Sequence, residues 1–320
     1  MIPVRGGTNR LDVRQDFENS VDLVGSTTLP GLFYGVVLSL YCLCVCSLYQ
    51  SRSQKPHLRQ HIIFSLVHAT ILTILATIYL ALLTRASQIS YIDNKDYPGG
   101  PAVFKQDVLH SIPIYFLCIT MSFILGVLTL VVQIWRLWVI WSGTRYARTI
   151  KIISIVLFSA FIAFGTTSIT IWSLPKNPLS SAASAVVTIG SYALGFANTV
   201  FVTLLVSMRL IIVRRRHLKL MGPSEVTQQY IDIVTVLIES YALECVWSIV
   251  TIVLVSANYN PVNMLFNQCE NLVRIIAYFL VLYRISRGSA WTPQTEQHMT
   301  SLCWNREISS SSTQTVTEHV

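Results

Sequence analysis

Seven separate stretches of about 20 residues, each almost free of charge, constrain this chain more than any other feature. They fall at 29–49, 62–83, 111–132 with a continuation to 141, 152–172, 185–213, 231–255 and 264–283. A bilayer's hydrocarbon core is ~30 Å thick and a helix rises ~1.5 Å per residue, so each stretch is long enough to cross once. They are too long for strands and lack the alternation of an outer-membrane barrel. In lipid, a helix satisfies its own backbone hydrogen bonds, so the expected fold is all-α, a seven-helix transmembrane bundle. The bundle occupies 29–287, between an amino-terminal tail at 1–28 and a polar, disordered tail at 288–320.

Composition supports lipid as the first partner, since charged residues make up 12% of the 320 and apolar residues 52%. The net charge of +8 is not gathered into a basic stripe, so no nucleic-acid partner is expected. Instead, Lys and Arg cluster between the apolar runs, where they report topology. With the amino terminus outside, thirteen fall on the cytoplasmic side and seven on the other, and RRRHLK at 214–219 is the strongest single group. The reading is N-terminus outside and C-terminus cytoplasmic, in the plasma membrane. The first 27 residues lack a short apolar run with a small-residue cleavage site, so the first span is expected to direct insertion itself. Of the seven cysteines, six lie within the apolar runs and set no disulfide framework; Cys46 reads either as an acylation site or as a small buried hydrophobe.

The last two spans carry the unusual residues. Glu239 and Glu244 in IESYALE, and Glu270 and Arg274 in NQCENLVRIIAYF, stand where water is scarce. An ionised side chain at that depth costs at least ~2.5 kcal/mol on insertion scales, so these groups are expected to face the bundle and pair. Glu270 and Arg274 are i, i+4 in the favourable order. Glu239 and Glu244 are about 140° apart around a helix and cannot share one narrow face. The expected network therefore centres on Arg274, with Glu270 and one of Glu239 or Glu244. It reads as a packing device for spans six and seven, as the polar floor of a ligand cavity, or as a proton or ion route.

Further toward the cytoplasm, Arg136 sits among Trp135, Trp138 and Trp141 in QIWRLWVIWSG. It reads either as an anchor reaching the headgroups or as a cytoplasmic switch that engages Asp232 on span six. Ser191 with Gly195, and Ala193 with Ala197, are small pairs suited to close helix packing. The loop at 84–110 contains DYPGGP and is expected to fold over the mouth of the bundle. In the tail, Ser309, Ser310, Ser311, Ser312 and Thr313 are candidate phosphoacceptors if they are more than a linker.

Known seven-span chemistries find no support. All six lysines lie outside the spans, which removes a retinal Schiff base, and the histidines do not converge as a membrane zinc hydrolase requires. Phosphate-loop and G-x-S-x-G motifs do not occur, so neither an enzyme nor a cofactor is expected.

The strings WRLWVIW at 135–141 and IESYALE at 238–244 resemble the ends of spans three and six in a set of uncharacterised seven-span membrane proteins from mushroom-forming fungi. That resemblance covers about residues 25–290 and implies a receptor-like topology with an unknown ligand. Against rhodopsin-like receptors the sequence departs: Trp135 precedes Arg136, AYFLVLYR stands where N-P-x-x-Y would, and Cys118 lies within its span. The functional expectation is a receptor-like protein that senses a small-molecule ligand and signals to a cytoplasmic protein. A small proton- or ion-coupled transporter or channel, or a structural membrane partner, is the alternative.

Overall fold

The computed structural model describes residues 10–54, 59–94, 97–98, 101, 104, 108–109, 112–173, 181–221, 225–257, 260–284 and 286. Seven long helices carry almost all of them: α1 Arg10–Gln54, α2 Arg59–Gln88, α3 Pro113–Trp141, α4 Ala147–Ser173, α5 Ser181–Met221, α6 Glu225–Ser256 and α7 Asn260–Arg284. Each contains a segment long and apolar enough to cross a membrane. The chain is thus a seven-helix bundle of the kind that embeds in a bilayer. Asp232 lies in α6, but its side chain is outside those described, and residues 309–313 are outside the described residues altogether.

Local sequence sets several boundaries. Pro113 occupies the first turn of α3, where a missing N–H costs nothing. α3 runs unbroken through the tryptophans to Trp141, and Gly143, at φ +77°, supplies the left-handed turn into α4. α2 extends past the expected span end at 83 and finishes in a π-helical turn, Ile89–Asp93, whose carbonyl at Ile89 accepts from Asn94 Nδ2 at 2.9 Å. The first part of the expected 84–110 loop is therefore helix. Beyond it, Phe104 and Leu109 are buried and Tyr97 meets Phe104 edge-on, so this connection does pack onto the bundle.

The helices close into a ring in which each packs on the next and α7 packs on α1; α3 also touches α5 and α7. The most buried element is α7, with 72% of its spanning segment inside, against 17–33% for the other six. Its residues Leu272, Ile275 and Phe279 join an apolar cluster with Val37, Leu72 and Leu125, while Ala277 and Val281 join a second one with Leu137, Val202 and Tyr241. Upper and lower below mean the ends at which α7 begins and finishes.

Candidate functional site

Polar residues of α7 recur at Asn267, Glu270, Asn271, Arg274 and Tyr278. At 100° per residue they fall within about 100° of one another, a single stripe along the helix. Because α7 is central, each member of the stripe meets a different neighbour. Tyr192 of α5 donates to Asn267 Oδ1 at 2.6 Å. One turn lower, Asn271 Nδ2 donates to Ser122 Oγ of α3 at 2.5 Å.

Arg274 lies near the middle of the span, about 14 Å below its upper limit at Leu265. Its Nη2 donates to Glu270 Oε1 on the same helix. Its Nε lies 3.6 Å from Glu244 Oε1 of α6. Glu244 is held in turn by Thr199 Oγ1 of α5, which donates to Oε1 at 2.9 Å, and by Gln133 Nε2 of α3, which donates to Oε2 at 3.3 Å. Arg274, Glu244, Glu270, Gln133 and Thr199 are all buried.

The guanidinium occupies a slot made by two glycines. A Cβ on Gly126 of α3 would stand 3.3 Å from Arg274 Nη1, and one on Gly195 of α5 would stand 3.2 Å from Nη2. Phe161 of α4 closes the same space, 3.8 Å from the first position and 3.4 Å from the second. A side chain at either glycine would have to push against an arginine fixed at both ends. The small pair Ser191 and Gly195 thus includes one residue whose smallness admits a side chain rather than a second backbone.

One cation meets two carboxylates here, so with both acids ionised the site would carry a surplus negative charge. Such a cluster stabilises only when all its partners are in place, because the attraction between buried ions is offset by the loss of their hydration. Its geometric consequence is firmer: α3, α5, α6 and α7 are tied to one point.

Glu239 stands apart. Its side chain is exposed on α6, outside the Arg274 cluster. Counting from Ser256, Glu239 lies about 26 Å down and Glu244 about 18 Å. Of the two acids only Glu244 lies inside the bundle; Glu239, about 8 Å lower along the helix, is on an exposed face. Of the two alternatives for the Arg274 network, the structure places Glu244 there.

A second polar cluster lies lower on the stripe. Arg136 of α3 stacks on the Tyr278 ring, its Cζ 5.0 Å from the centroid, and the Tyr278 hydroxyl and His68 Nδ1 of α2 share a hydrogen bond of 3.1 Å. His68 stacks on Phe64, which also meets Trp135. Arg136 is half-buried and turned toward α7 rather than toward lipid. Among the described residues no carboxylate lies within ion-pair distance of it, and the Asp232 side chain is outside that set.

Sequence reasoning missed Gln133, Thr199, Asn267, Asn271, Tyr278 and His68. The α7 members had a signal, a polar repeat at 267, 270, 271, 274 and 278 in an otherwise apolar run. Gln133 and Thr199 had none, since single amides and hydroxyls are common in spans. Among the described residues, no group of three or more His, Cys, Asp or Glu could hold a metal ion. No family model, no curated protein and no solved structure matches this chain.

Proposed function

We propose that this seven-helix membrane protein is a receptor-like sensor whose bundle has two packings, exchanged by movement of α6 and α7 about Arg274. One observation carries the reading: a buried cation is shared between carboxylates on two helices and wedged between glycines of two others, all four helices running unbroken through that level. Interactions of this kind are discrete, so a small change in helix position exchanges partners rather than stretching bonds. A small ligand entering from outside would shift the balance by preferring one packing.

In this reading the amino terminus faces out of the plasma membrane, as the distribution of Lys and Arg favours. Arg136, with Asp232 on α6, serves as the cytoplasmic switch that a signalling protein reads, and Ser309 to Ser312 with Thr313 accept phosphate. The resemblance to receptor-like seven-span proteins of mushroom-forming fungi agrees with this assignment. No catalytic step is assigned. Discontinuous helices, which transporters use to build sites at the midplane, are not what α6 and α7 provide at Arg274.

The test is a distance measurement between spin labels at Ser142→Cys and Glu239→Cys in lipid nanodiscs. Two populations are expected, and Glu244→Gln should change their ratio because it weakens one partner of Arg274. A single distance that Glu244→Gln leaves unchanged would overturn the two-state reading. Proton flux into liposomes that disappears in Glu244→Gln would assign the network to transport instead.

A further inference from the structure

The polar stripe of α7 faces a matching stripe on α3, formed by Ser122, Gly126, Thr129, Gln133 and Arg136 at i, i+4, i+7, i+11 and i+14. The two stripes meet at Ser122 with Asn271, at Gly126 with Arg274, and at Arg136 with Tyr278. Along this seam, several buried polar atoms have no protein partner: Gln133 Oε1, Arg274 Nε, Arg136 Nη1 and His68 Nε2. Gln133 and Arg274 are 2% and 6% exposed, and His68 is 8% exposed, so bulk solvent does not reach them. Orphaned polar atoms at this density are uncommon in protein interiors, and those that occur are generally bonded to internal water.

Two further features point the same way. At 3.6 Å from Glu244 Oε1, Arg274 Nε is within ion-pair range but beyond a direct hydrogen bond, so its N–H still lacks an acceptor. At the upper end, between α2, α3 and α7, there is a cavity of about 20 Å³ lined by Ser87, Ser90, Leu109, Tyr115 and Gln268. One water needs roughly 10–15 Å³ on this measure together with two or more polar partners. Gln268 Oε1 is orphaned there, and the Ser87 and Ser90 hydroxyls spend their protons on the carbonyls of Leu83 and Ala86, leaving oxygen lone pairs to accept.

We propose that the seam between α3 and α7 binds a file of internal water molecules, entered at the Gln268 cavity and running past Arg274 to the Arg136 and His68 cluster. The ligand is water, and the donor set suits it: acceptors at Gln268 and Gln133 alternate with donors at Arg274, Arg136 and one tautomer of His68. The file would loosen this seam, because water-mediated bonds re-form with new partners as helices shift. It does not depend on the protein being a receptor.

The experiment is X-ray hydroxyl-radical footprinting of the full chain in nanodiscs, read by mass spectrometry. Radicals formed from internal water modify side chains beside it, so Tyr278, only 1% exposed, should be modified on the order of tenfold faster than lipid-facing Phe116 and Phe164. Gln133→Met, which keeps the volume and removes the orphaned acceptor, should lower modification of Tyr278 and leave Tyr115 at the cavity unchanged. Tyr278 modified no faster than Phe116 and Phe164 would overturn the proposal, as would a Tyr278 rate that Gln133→Met does not alter.

Discussion

Replacing Arg274 by Met removes the guanidinium from its slot while keeping an unbranched apolar stem. Glu244 then retains its bonds from Thr199 and Gln133, but Glu270 loses the hydrogen bond that Arg274 donates to it. Removing one member of a buried ion pair costs about 3–5 kcal/mol, a large share of the ~5–15 kcal/mol that holds a typical protein together. At about 2–4 °C per kcal/mol, the unfolding midpoint should fall by roughly 6–20 °C. The triple variant Arg274→Met, Glu244→Gln, Glu270→Gln removes the stranded charges too, and replacing a complete buried network is often neutral or stabilising, so it should recover most of the loss. A thiol-reactive dye reports unfolding conveniently, because Cys44, Cys118 and Cys269 are buried; the Cys42→Ser, Cys46→Ser, Cys303→Ser background removes two exposed thiols and the one in the tail. The same geometry says that the exchange Glu270→Arg with Arg274→Glu should rescue poorly alone, since it sets a new carboxylate beside Glu244, and better with Glu244→Gln added. Parental stability in Arg274→Met, or a triple variant as labile as the single one, would refute the reasoning.

Two further outcomes separate packing from charge. In Gly165→Ala the new methyl would overlap the Phe123 ring across the contact between α3 and α4, which should cost about 1–3 kcal/mol in the same melting assay, with Phe123→Leu restoring part of it. Glu239→Gln, on the exposed face of α6, should stay within about 0.5 kcal/mol of the parent, whereas Glu244→Gln should exceed that because it disturbs Arg274, Thr199 and Gln133 together.

The helix count was legible because hydrocarbon leaves the backbone no other solution: a charge-free run of 20 residues in lipid is a helix whatever its neighbours do. Span ends were less legible. α2 outran its apolar run by a turn and a half to Gln88 and the π-helical turn carried on to Asp93, with the Ser87 and Ser90 hydroxyls bonding back to carbonyls four residues earlier and so remaining tolerable in a helix. Glu270 with Arg274 was readable from spacing alone, since both partners share one helix. Choosing between Glu239 and Glu244 required the rotation of α6 about its own axis, and that is set by packing against α5 and α7, which no single segment encodes. Gln133 and Thr199 were invisible for the same reason: what selects them is the position of Glu244 in space.

This limit follows from a reversal of the rule for soluble proteins. Six helices with 17–33% of their spans buried must satisfy lipid around most of their circumference, and so they are apolar on nearly every side. α7, 72% buried, is released from that demand and is the least apolar of the seven. Its departures from hydrophobicity are therefore what mark the interior, and the repeat at 267, 270, 271, 274 and 278 gives the direction in which that interior lies. The partners Ser122, Gly126, Gln133, Thr199 and Glu244 then need not resemble a motif at all. Ser122 and Glu244 bond the stripe, Gly126 is small enough to admit it, and Gln133 and Thr199 hold Glu244 in place, so the energetic penalty of leaving stripe residues without polar partners away from bulk water fixes the rotation of α3, α5 and α6 toward it.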